Sequence, residues 1–491
     1  MKRRDFIGSS LALAAAWPMR SLAEALKDLG DLPAKTLSGG DVLLKGSSVE
    51  ALSASVRGDI LLPGGTAYDA ARRVWNGMFD KRPALIVRCT GAADVIEAVN
   101  FAREHELLTA VRGGGHSFSG KSTCDGGIMI DLAPMQGCRV DPVARRAFLE
   151  AGSLLGQLDR ETAVFGLATT AGTVSHTGAA GLTLGGGLGR LGRRFGLACD
   201  NVASFDIVTA DGRFLHVTDS EHPDLNWGLR GGGGNFGIVT SFEYRLHPVD
   251  PMVLAGDITW PLDQARDVLR FYVEQAAAAP DELNLGGAIV VSPDGKGIVN
   301  VEVCWSGDHA RGEEAIRALR AFGKPVKDSV GPMKYTTLQS AADGGSPSGL
   351  NYYAKNGFLS SLDDAGVDLV LDVATNAPGK FVLLFDHGGG QYNRMAPDAT
   401  AYANRHAALW LGMIGGWQDP TESEERIAMM RASWKRLEPL TDGFYNNLAG
   451  DASDAALRAN LGVNFERLVA LKAKYDPMNL FRLNANVPPK V

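Results

Sequence analysis

Apolar residues in the first half of the chain fall into short continuous runs that alternate with segments of helical spacing. The run ALIVRC (84–89) predicts a buried strand, and the next segment, 91–107, has the apolar spacing of an amphipathic helix. A hairpin is predicted at 204–218, because Asp211-Gly212 is a turn pair that favours positive φ between two β-rich runs. This alternation predicts a mixed α and β domain. Further strands are predicted at 108–112, 127–132, 145–152 and 238–249.

The pattern changes after Pro248 and Pro251, which mark a boundary. From 252 onward, longer strands and amphipathic helices follow one another, as in the strand 380–387 and the helix 425–437, and predict a second α+β domain. A helix at 464–475 is stopped by Pro477. The tail after it carries its own apolar residues, and we expect it to pack back on an earlier domain.

The first 25 residues have the pattern of an export signal. A charged tip precedes an apolar stretch from Phe6 to Trp17, which is too short to span a bilayer. Arg3 and Arg4, followed by Asp5-Phe6-Ile7, resemble the twin-arginine type, which exports folded proteins through the Tat machinery. The alternatives are an ordinary Sec signal or a basic helix start. We expect a periplasmic or secreted protein.

Composition excludes several classes of function. The chain has 491 residues, 45% hydrophobic and 21% charged, which is typical of a globular protein of two or more domains. No stretch is strongly basic and the net charge is −7, so nucleic acid is not expected as a partner. No second apolar run has membrane length. The five cysteines fit no zinc spacing, so we expect free thiols and no metal.

Glycine-rich clusters carry the most specific signal. They are RGGGH (112–116), GLTLGGGLGRLGRRFG (181–196) and GLRGGGGNFG (228–237). Each alone is explained by a tight turn. A Rossmann fingerprint is disfavoured because neither G-x-G-x-x-G match follows a good strand, and a P-loop because no Gly-Lys-Ser/Thr closes a cluster. Together the clusters predict a cradle of backbone N–H groups around a large diphosphate cofactor.

The order of these motifs carries a resemblance. Strand, helix and RGGGHS are followed by GTVSHTGAAGLTLGGGLGRLGRRFGLACDNV, by WGLRGGGGNFGIVT and by the closing NFERLVALKAKYDPMNLFRLNANVPP. This resembles the berberine bridge enzyme-like family of flavin oxidoreductases, in the vanillyl-alcohol oxidase superfamily. The resemblance implies an α+β fold. A two-part PCMH-type FAD-binding domain would span 50–250, a substrate domain with an antiparallel sheet covered by helices 251–445, and a C-terminal segment, 446–491, would pack back on the FAD domain.

The resemblance also implies how FAD is held. His116 stands where the family's histidine bonds covalently to the 8α-methyl of FAD; the alternative is a histidine that only forms hydrogen bonds. Val174 stands where many members carry a cysteine that bonds flavin C6, so a single covalent link is expected, and Cys199 should not substitute. Thr177 occupies the position thought to gate oxygen, which leaves oxidase and dehydrogenase both open.

Other cofactor contacts follow from the same resemblance. Asn484 and Asn486, in the returning tail, are predicted at the flavin edge. The predicted phosphate and adenine contacts are Arg112, Gly113, Gly114, Gly115, Ser117, Gly178, Gly181, Gly186, Gly187, Gly237 and Val239.

Tyr445 is the predicted base, because FYNNLAGD (444–451) resembles the family's Tyr-x-Asn segment. A phenol needs a lowered pKa for that role, and a cation or a second tyrosine beside it would supply one. Tyr352 and Lys355 of YYAKNGF are candidate partners. On a strand, Tyr353 and Lys355 share one face and Tyr352 points the other way, so one of the two tyrosines is expected in the core, and Tyr353 with Lys355 is the predicted pair. The alternative for Tyr445 is core packing.

The predicted activity is oxidation of an alcohol, such as a sugar's anomeric hydroxyl, with oxygen or another acceptor reoxidising the flavin. The second domain would supply the sheet that roofs a small-molecule substrate. Two alternatives stay open. One is oxidation at a carbon beside nitrogen, as in alkaloid-type substrates, and the other is a noncatalytic flavin-binding protein.

Overall fold

The computed structural model describes residues 29–490, so the predicted export signal at 1–25 lies outside the described residues. The strands are β1 (Leu32–Lys35), β2 (Asp41–Leu44), β3 (Asp59–Leu61), β4 (Leu85–Arg88), β5 (Thr109–Arg112), β6 (Ile128–Asp131), β7 (Cys138–Asp141), β8 (Arg146–Glu150), β9 (Leu167–Ala168), β10 (Val202–Thr209), β11 (Phe214–Val217), β12 (Gly237–Arg245), β13 (His247–Pro248), β14 (Met252–Pro261), β15 (Leu283–Val291), β16 (Gly297–Trp305), β17 (Lys327–Asp328), β18 (Gly331–Lys334), β19 (Asn351–Leu359), β20 (Val382–His387) and β21 (Leu409–Trp417). The helices are α1 (Gly46–Ser55), α2 (Tyr68–Arg72), α3 (Ala92–Glu104), α4 (Leu155–Ala163), α5 (Ala179–Leu184), α6 (Gly192–Phe195), α7 (Pro223–Leu229), α8 (Ala265–Ala278), α9 (His309–Ala321), α10 (Tyr335–Gln339), α11 (Asp364–Asn376), α12 (Gln391–Arg394), α13 (Ser423–Leu437), α14 (Asp454–Leu461) and α15 (Phe465–Tyr475).

Two sheets build the first domain around one core. In the four-stranded sheet, β3-β4-β6-β5, the strands β4, β6 and β5 run parallel, and α3 connects β4 to β5. The five-stranded sheet, β11-β10-β12-β8-β7, is antiparallel. Val95 and Val99 of α3 share a core with Phe205 and Phe242 of the five-stranded sheet. β5 ends at Arg112, so the RGGGH run leaves the carboxyl edge of the parallel strands.

The second domain is built on an eight-stranded antiparallel sheet of order β17-β14-β16-β15-β20-β21-β19, in which β18 also pairs with β14. Helices α8, α9, α11 and α13 cover one face. Their Tyr272, Ile316, Val370 and Trp434 pack in one core with Met413 of the sheet. The opposite face of the sheet is not covered by these helices and faces the first domain. A cavity can therefore form between the two domains.

These features confirm the predicted α+β class and the antiparallel sheet covered by helices. The alternation of apolar runs identified the strands well, because buried strands of this fold are short and bounded by turn residues. It missed α1, whose Val49 and Leu52 are buried in the first core, and α5, which the sequence presents as a poor strand.

The C-terminal helix and tail pack on the first domain. Leu468 and Leu471 of α15, and Phe481 and Val487 of the tail, share the first core with Phe236. Within residues 29–490, no helix combines the length and the apolar character needed to cross a bilayer.

Candidate functional site

A cavity of about 960 Å³ lies between the two domains. This volume is at the upper end of the range of about 300–1,000 Å³ that is usual for ligand sites. Its walls come from all three glycine clusters, from the uncovered face of the eight-stranded sheet and from the C-terminal tail. The cavity is thus formed by segments that are far apart in the sequence.

His116 lies in the wall of this cavity at the end of a stack of aromatic rings. The Trp75 indole stacks on the His116 imidazole with centroids 4.2 Å apart, and Tyr352 stacks on the same indole at 3.9 Å. Burial, followed by the nearby His176, lowers the pKa of His116 to about 4. Its Nε2 atom is buried without a hydrogen-bond partner. His116 is therefore a neutral imidazole at pH 7 with a free ring nitrogen, as a nucleophile requires.

Two glycine segments cross beside His116 with almost no space between them. A Cβ atom built on Gly114 would lie 2.4 Å from the Gly178 Cα atom, so both positions require glycine. By contrast, a Cβ on Gly181 or Gly234 would meet no atom within 4 Å, although both residues line the cavity. The crossing places glycines without side chains in the cavity wall, so a diphosphate can approach their backbone N–H groups closely.

The eight-stranded sheet presents alternate residues to the cavity. Val382, Leu384 and Asp386 of β20 line it, as do Trp410 and Ile414 of β21. This spacing of two follows from strand geometry. The wall is mostly apolar, with one carboxyl group in it.

Tyr352, and not Tyr353 or Lys355, faces the cavity. Tyr353 points to the helix-covered side, where its hydroxyl donates to Asp451 at 2.6 Å. Lys355 pairs with the same carboxylate at 2.6 Å. The structure therefore does not bring Tyr353 and Lys355 to Tyr445, which corrects the expected catalytic pairing. The physical reason is the alternation of side chains along a strand. The sequence shows which residues share a face of the strand, but it does not show which face the helices cover.

Tyr445 lines the cavity and is buried. Burial raises the pKa of its phenol to about 12, although the Asn447 amide donates to the hydroxyl at 2.6 Å and the backbone of Leu188 and Gly187 also lowers the pKa. At neutral pH the residue is a phenol and not a phenolate. It can orient a bound molecule, but it lacks the lowered pKa that a base needs.

Asp386 is the carboxyl group of the cavity wall. Burial, and then the charge of Glu302, raises its pKa to about 7, although the His387 N–H and the Asn284 amide donate to Oδ1 at 2.9 and 3.2 Å. A carboxyl group that titrates near 7 is suited to accept a proton at physiological pH.

Most predicted cofactor residues line the cavity. Arg112 does not, because its guanidinium is held by Asp131 at 3.0 Å on the neighbouring strand. Gly186 and Gly187 form a positive-φ turn behind the wall, with Gly186 against the Tyr402 ring, and Asn486 also lies off the cavity. The predicted residues that line it are Gly113, Gly114, Gly115, His116, Ser117, Val174, Thr177, Gly178, Gly181, Gly237, Val239 and Asn484.

Sequence reasoning missed several residues of the site. Lys121 lines the cavity, and its ammonium donates to the Asn484 carbonyl at 2.7 Å. Its position in the sequence, five residues after His116, was the one feature that could have indicated a role for Lys121 in the site. Trp75, Asp386 and Trp410 carried no motif, because only the folded sheet and loops bring them to the cavity. Asn447 is the asparagine of the Tyr-x-Asn segment, but the motif predicted no role for it.

The fold and motifs match known families. The FAD binding domain family matches residues 83–218, and the family described as berberine and berberine like matches residues 450–488. The (R)-6-hydroxynicotine oxidase of Paenarthrobacter nicotinovorans is 31% identical over 478 residues, which cover 90% of this chain and 99% of the relative. The chain belongs to the berberine bridge enzyme-like family of FAD-linked oxidoreductases.

Other relatives of this FAD-linked oxidoreductase agree. The chitooligosaccharide oxidase of Gibberella zeae is 29% identical, with 87% of this chain and 90% of the relative covered. The crystal structure of 6-hydroxy-D-nicotine oxidase from Arthrobacter nicotinovorans superposes with a TM-score of 0.82 at 29% identity, covering 89% of this chain and 99% of the other. FAD is the cofactor of this oxidoreductase.

The residues present fit FAD. The bare glycine backbone and Lys121 suit the diphosphate, and the unpartnered Nε2 of His116 suits the flavin end. No cysteine of residues 29–490 lines the cavity. Cys199 is fully buried, and burial raises the pKa of its thiol well above the usual value.

Proposed function

We propose that this enzyme oxidises the alcohol carbon of a small molecule, such as the anomeric carbon of a sugar, with Asp386 as the proton acceptor. The observation that carries the proposal is the Asp386 carboxyl in the cavity wall with a pKa of about 7. The chitooligosaccharide oxidase relative supports a hydroxyl-bearing substrate.

Each residue of the site has a defined role in this reaction. Bound FAD would supply the hydride acceptor for the substrate carbon, with oxygen or another acceptor as the final oxidant. Asp386 takes the hydroxyl proton. Tyr445 and Asn447 orient the hydroxyl, and the apolar face of β20 and β21 keeps water out. His116 would hold FAD through one covalent bond to its 8α-methyl group, since Val174 cannot form a second.

Tyr445 is the competing base. Its three donors would stabilise a phenolate, but burial outweighs them and its pKa stays near 12. A base with a pKa near 7 is largely ionised at physiological pH, so it accepts a proton without the free-energy cost of first ionising a buried phenol.

The test is anaerobic reduction of the FAD-loaded enzyme by candidate sugars and alcohols in a stopped-flow instrument. We expect Asp386→Asn to slow reduction about 10²–10⁴-fold, the range usual for a lost general base, and Tyr445→Phe to slow it less. Asp257→Asn is the matched control, because Asp257 lies on the same sheet but does not line the cavity. A larger loss in Tyr445→Phe than in Asp386→Asn would return the role of base to Tyr445.

Oxidation at a carbon beside nitrogen is the second candidate. Val382, Leu384 and Ile414 make part of the substrate wall apolar, which also suits an aromatic amine, and the (R)-6-hydroxynicotine oxidase relative points the same way. Reduction by amines but by no alcohol, with Asp386→Asn still active, would select this reaction.

We also propose export of the folded, FAD-loaded protein to the periplasm by the Tat route. The proposal rests on Arg3 and Arg4 and on the need to load the cofactor before export. Replacing both arginines by lysine should leave the protein in the cytoplasm, as measured by fractionation. Unchanged delivery would point to the Sec route.

A further inference from the structure

A second, smaller cavity of about 40 Å³ lies directly behind Asp386. It shares Leu188, Gly189, Asp386 and Trp410 with the large cavity, so the two spaces adjoin and Asp386 borders both. Its lining also includes Arg193 of α6, His387 of β20, Asn284 and Tyr392 of α12, whose hydroxyl already donates to the Asn404 carbonyl. We call this space the rear chamber.

Arg193 brings a buried positive charge to the rear chamber. Its two terminal nitrogens donate to the backbone carbonyls of Gly388 and Ala279. Its Nε–H is buried and has no partner. Among residues 29–490, no carboxylate forms a salt bridge with it, and the nearest compensating charges are those of Asp281 and Asp386. A buried guanidinium with a free donor is a group that needs a further partner.

His387 brings a second unpartnered nitrogen. Its Nδ1 lies 2.8 Å from the carbonyl oxygen and 3.1 Å from the nitrogen of Leu285, so the ring is tied to β15. Burial, and then the charge of Arg193, lowers the pKa of His387 to about 3, so the imidazole is neutral. Its Nε2 is buried and has no partner. Depending on the tautomer this atom donates or accepts, and a water molecule can pair with it in either case.

We propose that the rear chamber binds water that links the Arg193 Nε–H and the His387 Nε2 to the Asp386 carboxyl group. A water needs about 10–15 Å³ and two to four polar partners, and the rear chamber offers both. A small anion fits less well, because Asp386 faces it. Arg193 and His387 are then positioning residues, which act on the substrate through Asp386 and the bound water.

The consequence is control over the charge of Asp386. Several groups surround this carboxyl: Glu302 of β16 raises its pKa, and Arg190, the Asn284 amide and the His387 N–H lower it. Tyr272 and Cys304 lie near it and are neutral, since burial raises their pKa values. A water-mediated contact with Arg193 adds a positive charge on the side away from the substrate and favours the carboxylate. This inference rests on the proposed role of Asp386 as the base.

The direct test is a high-resolution crystal structure of the unaltered, FAD-loaded enzyme. We expect ordered water within hydrogen-bond distance of Arg193 Nε, His387 Nε2 and the Asp386 carboxyl group. An empty rear chamber, or a bound ion in place of water, would overturn the proposal. This measurement requires no variant to fold.

The functional test is the pH profile of anaerobic flavin reduction. We expect Arg193→Gln to move the midpoint of the profile upward by about one pH unit, as the loss of a nearby opposite charge does, and Arg193→Lys to move it less. His387→Leu, which removes the second partner of the water, should also move it upward. Arg194→Gln is the control, because Arg194 bonds Ser306 and does not line the rear chamber.

The outcomes separate the two proposals. Midpoints of Arg193→Gln and His387→Leu equal to that of the unaltered enzyme would refute the role of the rear chamber, while a large loss in Asp386→Asn would leave the base in place. Full activity of Asp386→Asn would instead remove the proposed function on which the inference rests.

Discussion

The Lys472–Asp476 pair gives a sharp prediction about how the tail is held. Both side chains are fully buried, and the Lys472 ammonium donates to Asp476 at 2.7 Å and to the carbonyls of Asn235 and Phe481 at 2.8 and 3.0 Å. Asp476 in turn accepts from the backbone of Leu480 and Phe481. One ammonium thus joins α15, the third glycine cluster and the tail that lines the cavity.

Replacing this lysine by methionine keeps the apolar stem but removes the charge. The Asp476 carboxylate is then buried without its counter-charge, and two carbonyl oxygens lose a donor at about 1 kcal/mol each. Breaking one side of a buried pair costs about 3–5 kcal/mol in total, so we expect Lys472→Met to lower the free energy of unfolding by that amount. Replacing both partners, in Lys472→Met with Asp476→Asn, should restore part of it, because no unpaired charge remains and the amide oxygen still accepts from the tail backbone.

The assay is urea unfolding of the FAD-loaded enzyme, followed by circular dichroism and by the rise in flavin fluorescence on exposure to water. Lys474→Met is the matched control on the same helix, because Lys474 is 59% exposed and pairs with Asp224 at the surface, where such a pair contributes about 0–1 kcal/mol. If Lys472→Met were within about 1 kcal/mol of that control, the reasoning about the buried pair would be wrong.

Four further predictions follow from the site. His116→Ala should lose the mass of FAD in denaturing mass spectrometry, and retention of that mass would place the covalent bond elsewhere. Gly114→Ala should lower FAD loading and cost about 1–3 kcal/mol of stability, because its Cβ would lie 2.4 Å from Gly178; Gly344→Ala, with no atom within 4 Å, is the control in absorbance and unfolding measurements. Arg405→Met should cost about 3–5 kcal/mol in urea unfolding, because it leaves the buried Asp200 carboxylate, now bonded at 2.7 Å, without its partner; an unchanged midpoint would contradict this. Flavin reduction should accelerate as pH rises through about 7 and level off above it, because only the ionised Asp386 carboxyl accepts a proton; a rate that falls across this range in stopped-flow measurements would exclude that role.

The sequence predicted the cofactor side of the site better than the substrate side. Glycine runs and His116 form local motifs, and their backbone geometry acts within a few residues of the chain. Arg112, Gly186 and Gly187 belong to the same motifs but lie behind the cavity wall. Arg112 forms an ion pair with Asp131, and the two glycines form a positive-φ turn.

The substrate side depends on which strands pair and which face the helices cover. Tyr352 and Tyr353 are adjacent and chemically alike, and only the packing of α13 against β19 decides which of them faces the cavity. Asp386 has no motif, and its raised pKa arises from burial between two domains. Such properties exist only in the folded molecule, so a periodicity along the chain does not reveal them.

The contribution of the tail to the cavity wall has a consequence for biosynthesis. Five tail residues follow every other lining residue in the chain, so they leave the ribosome last: Phe481, Leu483, Asn484, Ala485 and Val487. A nascent chain that already carries His116 and all three glycine clusters still lacks one wall of the cavity. Capture of FAD in its final enclosure therefore requires that the tail has already been synthesised and released, and a ribosome stalled before residue 481 should carry a chain without tightly held flavin.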